Sequence, residues 1–369
     1  MSLVLSSEHE DFQQSVRSFL ERNVTEDKTR QLVDSDDGLD EALWNSFTDL
    51  ELHALGVPEE MGGAGGSWVE LGLVLEEMGA VLVCSPFFAS TVLAAQALRE
   101  LGPNNEYRGW MDRIRQGELT ATLSLPTSGN GYGGVTDLNL TAEEADGSFR
   151  LSGTDAQIID GATAGLTIVA ARTGEGRGLF AVERPEPEAR ATPRSTLDPT
   201  RKVASVSFSD VPAVRLEADD ARYERILDLA RIGLAAEQLG GARRCLQLAV
   251  EYAKDRTQHG QPIGSFQAIK HRCADSYVAI EAARPAVYHA LLVAAELDAP
   301  LEAAASVAKI LASQAFTRAA TSSVQIHGGI GYTWEHPAHL YLRRGKSSEI
   351  LLGTPANLQE RLSSCLPMR

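Results

Sequence analysis

The apolar residues of this chain repeat at a helical period through residues 221–255, a stretch far longer than the average globular helix. Three further helical patterns follow it, at residues 266–297, 301–325 and 337–352. Only short segments separate the four patterns, and long helices joined by short loops are typical of an antiparallel bundle. The sequence therefore predicts a C-terminal four-helix bundle over residues 218–369.

Two other regions precede the bundle. An α-helical N-terminal domain is predicted over residues 1–117, from helical patterns at residues 7–22, 40–53, 67–82 and 88–101. Residues 118–217 instead contain short β-rich runs, at residues 121–125, 148–151, 166–170 and 203–208. No helices lie between these runs, so they favour an antiparallel middle β-domain, as a sheet or barrel, over a βαβ array. The predicted fold class is therefore α+β.

Charge and composition exclude several classes of protein. The formal net charge of −16 argues against a nucleic-acid-binding or anionic-membrane surface, because both need basic patches. Residues 1–10 lack the basic and apolar regions of a signal peptide, and no apolar run approaches the ~18 residues of a membrane span. The four cysteines are widely spaced, as expected of packing residues in a reducing compartment. We expect a cytoplasmic protein.

Several common motifs are absent or out of context. Residues 129–134 match G-x-G-x-x-G, but a strand-like alternation follows where a dinucleotide site needs a helix. His327, His336 and His339 have no common zinc spacing, so no metal site is predicted. The chain also lacks the G-x-S-x-G elbow of many hydrolases.

Two segments near the predicted helix ends carry groups suited to a large anionic ligand. Arg256, Gln258 and Gln267 lie in the turn between the first two bundle helices and could bind a diphosphate and sugar by charge-assisted hydrogen bonds. An equally good interpretation is a capped turn with a surface arginine. In the second segment, Gln325 precedes a glycine cluster at residues 328–331, where a ligand can approach the backbone closely.

These motifs together resemble those of the acyl-CoA dehydrogenase family. Residues 256–267 are similar to the family's R-x-Q-F-G-x-x-I-x-x-F-Q signature, with His259 in place of the usual phenylalanine. Residues 325–331 are similar to its Q-x-x-G-G-x-G element. Near the N-terminus, residues 56–63 and 76–79 resemble its G-x-P-E-E-x-G-G and E-E-x-G stretches. The motifs occur in the expected order and cover essentially the whole chain.

The resemblance implies FAD as cofactor, a CoA thioester as substrate and an electron-transfer flavoprotein as acceptor. In the family a glutamate removes the α-proton while the β-hydride passes to the flavin. This chain carries Leu352 at one known position of that glutamate and Ala230 at the other. Neither side chain can accept a proton, so no catalytic base is predicted. Glu237 and Glu349 are the nearest replacements, although each is more simply a structural carboxylate.

The family's middle-domain motifs are also altered. The tryptophan that packs on the isoalloxazine ring corresponds to Gln157, and the threonine that bonds this ring corresponds to Ile159. In contrast, the residues that in the family reach a flavin bound mainly to a neighbouring subunit are kept. The resemblance predicts that the cofactor contacts are Arg256, Gln258, His259, Gln267, Gln325, Ile326, His327, Gly328, Gly329 and Thr354.

This selective loss resembles the non-catalytic subunits of actinobacterial heteromeric acyl-CoA dehydrogenases. Those subunits pair with a homologous catalytic chain in α2β2 assemblies that act on sterol side-chain CoA esters. Two alternatives stay open at this point. One is an active homo-oligomer with a displaced base, and the other is a flavin-free scaffold or binding protein.

Overall fold

The computed structural model describes residues 5–102, 104–124, 138–145, 147–184, 189–296 and 299–365. The glycine motif at residues 129–134 lies outside these residues. The chain divides into two compact units. The first unit comprises Met1–Arg30, Trp68–Val83 and Arg231–Arg369, and the second comprises Gln31–Ser67 and Cys84–Ala230. The three domains expected along the sequence, with boundaries at residues 117 and 217, stay a prediction.

The N-terminal residues form the helices expected from their spacing and two more. Helix α1 begins after Ser6, whose hydroxyl accepts a hydrogen bond from the His9 amide and so caps the helix. The α-helices of this region are α1 (Ser7–Asn23), α2 (Glu26–Asp34), α3 (Glu41–Asp49), α4 (Trp68–Ala80), α5 (Ala95–Leu101) and α6 (Asn105–Arg115). Helices α2 and α6 were not predicted. A π-helix, Phe88–Ala94, leads directly into α5.

The middle residues form one seven-stranded sheet. Its strands are β1 (Ala121–Leu123), β2 (Leu140–Ala145), β3 (Ser148–Ile159), β4 (Leu166–Thr173), β5 (Gly176–Glu183), β6 (Ala189–Pro193) and β7 (Val203–Leu216). Strands β4, β2, β3, β7 and β5 pair in that order, and β5 pairs back to β4, so these strands close into a ring. Buried Leu151, Val169, Phe180, Val206 and Phe208 belong to the core inside it.

The prediction of an antiparallel sheet holds for most of these pairs and is wrong for two. Strand β1 pairs with β4 in parallel, and so does β2 at Thr141 and Arg172. Parallel neighbours need a long connection, and more than forty residues separate Leu123 from Leu166 in the chain. Local strand patterns carry no information on such distant pairing.

The C-terminal residues form the predicted bundle helices and a fifth helix. These are α7 (Asp220–Asp255), α8 (Gln267–Ala295), α9 (Glu302–His327), α10 (Ala338–Ile350) and α11 (Pro355–Cys365). A two-stranded hairpin, β8 (Thr257–Gln258) and β9 (Gln261–Pro262), connects α7 to α8. Helix α8 is long and apolar enough to cross a membrane by length and composition, a test that core helices of soluble proteins also pass.

Two adjacent buried carboxylates on α4 tie four helices of the first unit together. Glu77 accepts hydrogen bonds from Arg17 of α1 at 3.0 Å and from Arg243 of α7 at 2.6 Å. Glu76 lies 3.3 Å from Arg243 and 3.4 Å from Arg284 of α8, and Tyr288 donates to it at 3.0 Å. Burial raises the pKa of Glu76, and the arginines oppose this rise. These bonds keep a pair of buried negative charges compensated.

Glycines let α4 and α7 approach closely enough for this network to form. A Cβ atom at Gly240 would lie 1.7 Å from the Glu76 carbonyl oxygen, and one at Gly79 would lie 2.0 Å from the Glu237 carbonyl oxygen. Any larger residue would force the two helices apart. This contact explains the glycine pair inside the helical pattern of residues 221–255.

We expect Glu77→Gln to lower the free energy of unfolding by about 3–5 kcal/mol, because it leaves Arg17 and Arg243 without their shared buried carboxylate. Chemical denaturation at pH 7 measures this change. The matched control is Glu281→Gln, which removes a half-exposed partner of Arg284 and should change the free energy by less than about 1 kcal/mol. Equal effects of the two substitutions would contradict the proposed importance of the buried pair.

Candidate functional site

The turn between α7 and α8 is a tight hairpin. Its two central residues, His259 and Gly260, have φ angles of 52° and 78°. Two successive residues with positive φ are typical of the two-residue turns that match the twist of paired strands. The hairpin therefore holds Gln258 and the preceding Arg256 at a defined place beyond the end of α7.

A small apolar cluster joins this turn to the end of α9. Ala249 and Ala253 of α7 and Ile326 of α9 form its buried centre, and Ile263 and Ile269 pack against them. The Tyr252 and His327 rings, from the same two helices, have centroids 4.4 Å apart. The two segments that the sequence singled out as cofactor contacts thus lie side by side.

The polar side chains of these segments are exposed and have no bonding partners among the described residues. Arg256, Gln258, Gln267 and Gln325 are exposed, and no side-chain hydrogen bond or ion pair of theirs occurs within the described residues. In particular, the side chain of Arg256 does not cap α7. Its backbone amide donates to the Tyr252 carbonyl at 2.9 Å, whereas its guanidinium has no partner within the described residues and is available to a ligand.

The glycines after α9 leave space above the backbone. Gly328 has a φ of 65° and a ψ of −138°, a conformation that only glycine adopts readily. A Cβ atom at Gly328 or Gly329 would have no neighbour within 4 Å among the described residues. A ligand could therefore lie directly against these two peptide groups.

Three of the predicted contact residues have internal roles for their side chains. Ile326 is buried in the apolar cluster described above. The His327 ring bonds the Ser323 carbonyl at 2.7 Å and contacts the tilted His336 ring with centroids 4.1 Å apart, and burial lowers its pKa. Thr354 caps α11, since its hydroxyl accepts from the Asn357 amide at 3.3 Å. The side chains of these three residues thus already have contacts within the chain.

The histidines near this loop contact other aromatic rings. His336 contacts His327 with the rings tilted by 43°, and His339 packs edge-on against Trp334 with centroids 4.7 Å apart. Within the part of the chain that the structure describes, no group of three His, Cys, Asp or Glu side chains could hold a metal ion.

Both positions expected for a catalytic base are buried. Leu352 has a φ of 64°, and its carbonyl oxygen accepts a hydrogen bond from Nε of Arg231 at 3.0 Å. Ala230 of α7 is fully buried. Neither position has a group that titrates.

The two nearby carboxylates are occupied by ion pairs. Glu237 is buried, and its Oε1 lies 2.9 Å from Nη1 of Arg344. Glu349 accepts from Nζ of Lys346 at 2.9 Å on the surface of α10. Each of these carboxylates therefore already bonds a cationic side chain of the same unit.

A buried lysine that the sequence did not reveal holds the end of α10. Lys309 of α9 is fully buried, and its Nζ donates to the Ser313 hydroxyl and the Ser348 carbonyl, both at 2.8 Å. Burial, with a smaller contribution from Arg231, lowers its pKa to about 7. The available signal was its place in the small-residue pattern of Ala305, Ala308 and Ala312, which places it on the core face.

The two positions expected to contact the isoalloxazine ring, Gln157 and Ile159 (the flavin-wall positions), lie at an irregularity of β3. The register between β3 and β7 shifts between Asp155 and Ile158. As a result both Ile158 and Ile159 are buried, whereas Gln157 is exposed. Thr122 donates to the Ile159 carbonyl at 2.7 Å, so this backbone group is already bonded inside the sheet.

Comparison with known proteins agrees with this arrangement of helices and strands. Residues 6–118 match the N-terminal domain of acyl-CoA dehydrogenases, and residues 221–362 match the C-terminal domain. The chain belongs to the acyl-CoA dehydrogenase family. It has the fold of that family, with an N-terminal helical domain, a middle β-domain and a C-terminal helical domain. FAD is the cofactor of the family.

Similar relatives include the acyl-CoA dehydrogenase IpdE2 of Mycobacterium tuberculosis, which is 35% identical over 97% of this chain and 96% of its own. A solved ChsE4–ChsE5 complex from the same species has a TM-score of 0.89 at 28% identity and covers 99% of this chain and 98% of its own. A Tcur3481–Tcur3483 steroid acyl-CoA dehydrogenase variant has a TM-score of 0.87 at 30% identity, with 97% coverage of both chains.

We expect Lys309 to make stability depend on pH above neutrality. Its pKa of about 7 lies below the ~10.4 of an unfolded lysine, so the unfolded chain binds more protons between these values. The contribution of Lys309 to the free energy of unfolding should therefore rise as pH increases between these two pKa values, by at most about 1.4 kcal/mol per pH unit.

The measurement is the free energy of unfolding of the wild-type chain and Lys309→Met between pH 7 and 10. The free energy of unfolding of the wild type minus that of Lys309→Met should increase as pH rises. Lys346→Met, at a half-exposed lysine of the same unit, is the control and should show little such change. A pH-independent difference for Lys309→Met would contradict the depressed pKa.

Proposed function

We propose that this chain is the non-catalytic subunit of a heteromeric FAD-dependent acyl-CoA dehydrogenase. The observation that carries the proposal is the absence of a base at both family positions, since Leu352 and Ala230 are buried apolar residues. Replacement by a neighbouring carboxylate is disfavoured because Glu237 and Glu349 are held in ion pairs. A homologous partner would then supply the base.

The residues of this chain fit one part of FAD and not the other. The exposed Arg256 guanidinium and the open backbone at Gly328 and Gly329 suit a diphosphate and its sugar. At the flavin-wall positions, exposed Gln157 and buried Ile159 offer neither an aromatic surface nor a hydroxyl to an isoalloxazine ring. We infer that the chain completes a cofactor site built mainly by its partner. The cofactor, when bound, accepts the hydride of the dehydrogenation.

The substrate class is proposed from the relatives. Two of the similar structures are of paired chains, and one of these is named as a steroid acyl-CoA dehydrogenase. We propose a bulky acyl-CoA, such as a steroid side-chain ester, as the substrate of the assembly. An electron-transfer flavoprotein is the proposed acceptor, and the cytoplasm is the proposed location.

We expect the chain expressed alone to retain little FAD and to show negligible acyl-CoA dehydrogenation. Loss of a general base alone usually lowers the rate by about 10²–10⁴-fold. The measurements are the flavin absorbance of the purified protein and its turnover with an artificial electron acceptor. A flavin-replete homo-oligomer with ordinary turnover would instead support the displaced-base alternative.

Two substitutions separate a missing base from a missing flavin wall. Leu352→Glu or Ala230→Glu restores a carboxylate but leaves Gln157 and Ile159 unchanged, so neither should give activity in the isolated chain. Leu351→Glu adds a carboxylate one position away and serves as the control. Turnover from Leu352→Glu but not from Leu351→Glu would show that the wall positions are tolerated.

We expect Arg256→Ala to lower FAD occupancy and activity of the assembled heteromer. A charge-assisted contact to a diphosphate contributes about 1.5–3 kcal/mol, or roughly one to two orders of magnitude in affinity. The substitution should leave folding within about 0.5 kcal/mol, because the side chain has no partner in the described residues. The measurement is FAD per intact complex, with assembly checked by sedimentation.

Arg318→Ala is the matched control. Arg318 is an exposed arginine on α9 at 3.9 Å from Asp275 and should leave FAD affinity unchanged. An assembled Arg256→Ala complex with unchanged FAD affinity would rule out the cofactor role of Arg256. A wild-type complex that assembles without any flavin would instead support the scaffold alternative.

A further inference from the structure

A cavity of about 560 Å³ lies in the first unit, and none of the residues proposed above for the cofactor lines it. Its walls come from the end of α1, the start of α2, the end of α4, the middle of α7 and the start of α10. Ligand pockets for small molecules commonly have volumes of about 300–1,000 Å³. The cavity is thus large enough for a small organic ligand.

The floor of the cavity is apolar. Leu20, Leu82 and Leu340 line it, and all three are almost completely buried. Val24 and Val81, which are half-buried, also line the cavity. An aliphatic or alicyclic group placed here would be removed from water, which is favourable at about 25 cal/mol per Å² of apolar surface.

The cavity is also lined by three carboxylates, Glu21, Glu26 and Glu77, and each of them interacts with an arginine side chain. Glu77 binds Arg17 and Arg243, as described above. Glu26 accepts from Nε of Arg30 at 3.1 Å. The exposed Glu21 contributes to the raised pKa of Arg17.

Arg244 also lines the cavity, and none of these three carboxylates forms an ion pair with it. It hydrogen-bonds the neutral hydroxyl of Tyr341, and that hydroxyl in turn donates to the Ala80 carbonyl at 2.6 Å. No carboxylate lies within ion-pair distance of Arg244 in the described residues. A guanidinium has five N–H donors, so most of its bonding capacity is unused by side chains.

We infer that this cavity binds a small amphipathic carboxylate, with the carboxylate on Arg244 and the apolar body on the leucine floor. A single negative charge matches the one uncompensated guanidinium. A dianionic phosphate would be opposed by Glu21, Glu26 and Glu77 in the same wall. This site is independent of the proposed cofactor role.

The test is calorimetric titration of the full chain with octanoate, and with octanol as a neutral ligand of the same length. Octanoate should bind clearly more tightly than octanol. Arg244→Gln keeps a donor for Tyr341 but removes the charge, and should weaken octanoate by about ten- to a hundredfold without affecting octanol. Arg22→Gln, at an exposed arginine outside the cavity, should leave both affinities unchanged.

A second variant tests the cavity itself. Val81→Phe adds bulk at a partly exposed wall position and should weaken both ligands while the chain stays folded. Absence of octanoate binding to the wild-type chain at millimolar concentration would overturn the inference. So would equal affinity for octanoate and octanol, or equal octanoate affinity of the wild type and Arg244→Gln.

Discussion

The first unit depends on the buried Glu76–Glu77 pair. Two adjacent carboxylates in a desolvated place are unfavourable unless cations reach both of them. Arg17, Arg243 and Arg284 do so from three different helices. Each carboxylate needs an arginine within bonding distance. The pair therefore restricts which helices can pack against α4, whereas apolar contacts alone would allow more arrangements.

The same constraint determines where the candidate cofactor surface lies, namely the exposed side chains of Arg256, Gln258, Gln267 and Gln325 and the open backbone at residues 328–329. Helix α7 is held at its middle by Arg243 and by the glycine contact at Gly240, and it continues from there to Asp255. The hairpin with Arg256 follows immediately, and the apolar cluster around Ile326 brings the glycine loop beside it. The exposed groups thus stand on rigid elements, which is the arrangement expected of a preorganised binding surface.

This surface contrasts with the two positions, 230 and 352, where a catalytic base was expected. The loop with Leu352 is well supported, since Arg231 bonds its carbonyl and Lys309 bonds the end of α10 just before it. The backbone of this loop is thus held by two buried cations, although position 352 itself has no titrating group. This pattern supports the proposal that a partner supplies the base.

Local patterns in the sequence were sufficient for the long elements. The apolar period of α7, α8, α9 and α10 predicted these helices, and the motifs at residues 256–267 and 325–331 indicated the family. Helices α2 and α11 each bury only one residue, Thr29 and Leu358, so they have no apolar stripe that the sequence could show. Helix α6 does bury Tyr107, Trp110 and Ile114 at helical spacing, a signal that the prediction missed.

Residue types and their spacing were enough to predict the fold class, to find the family motifs and to show that positions 230 and 352 have no titrating group. The three-dimensional structure was needed to find the parallel pairing of β1 with β4, the arginine partners of Glu76 and Glu77, and the burial of Lys309. It also showed that Ile326, His327 and Thr354 use their side chains internally while Arg256 does not. The reason is physical: residue type and spacing set local conformation, but hydrogen-bond partners and burial depend on groups far away in the chain.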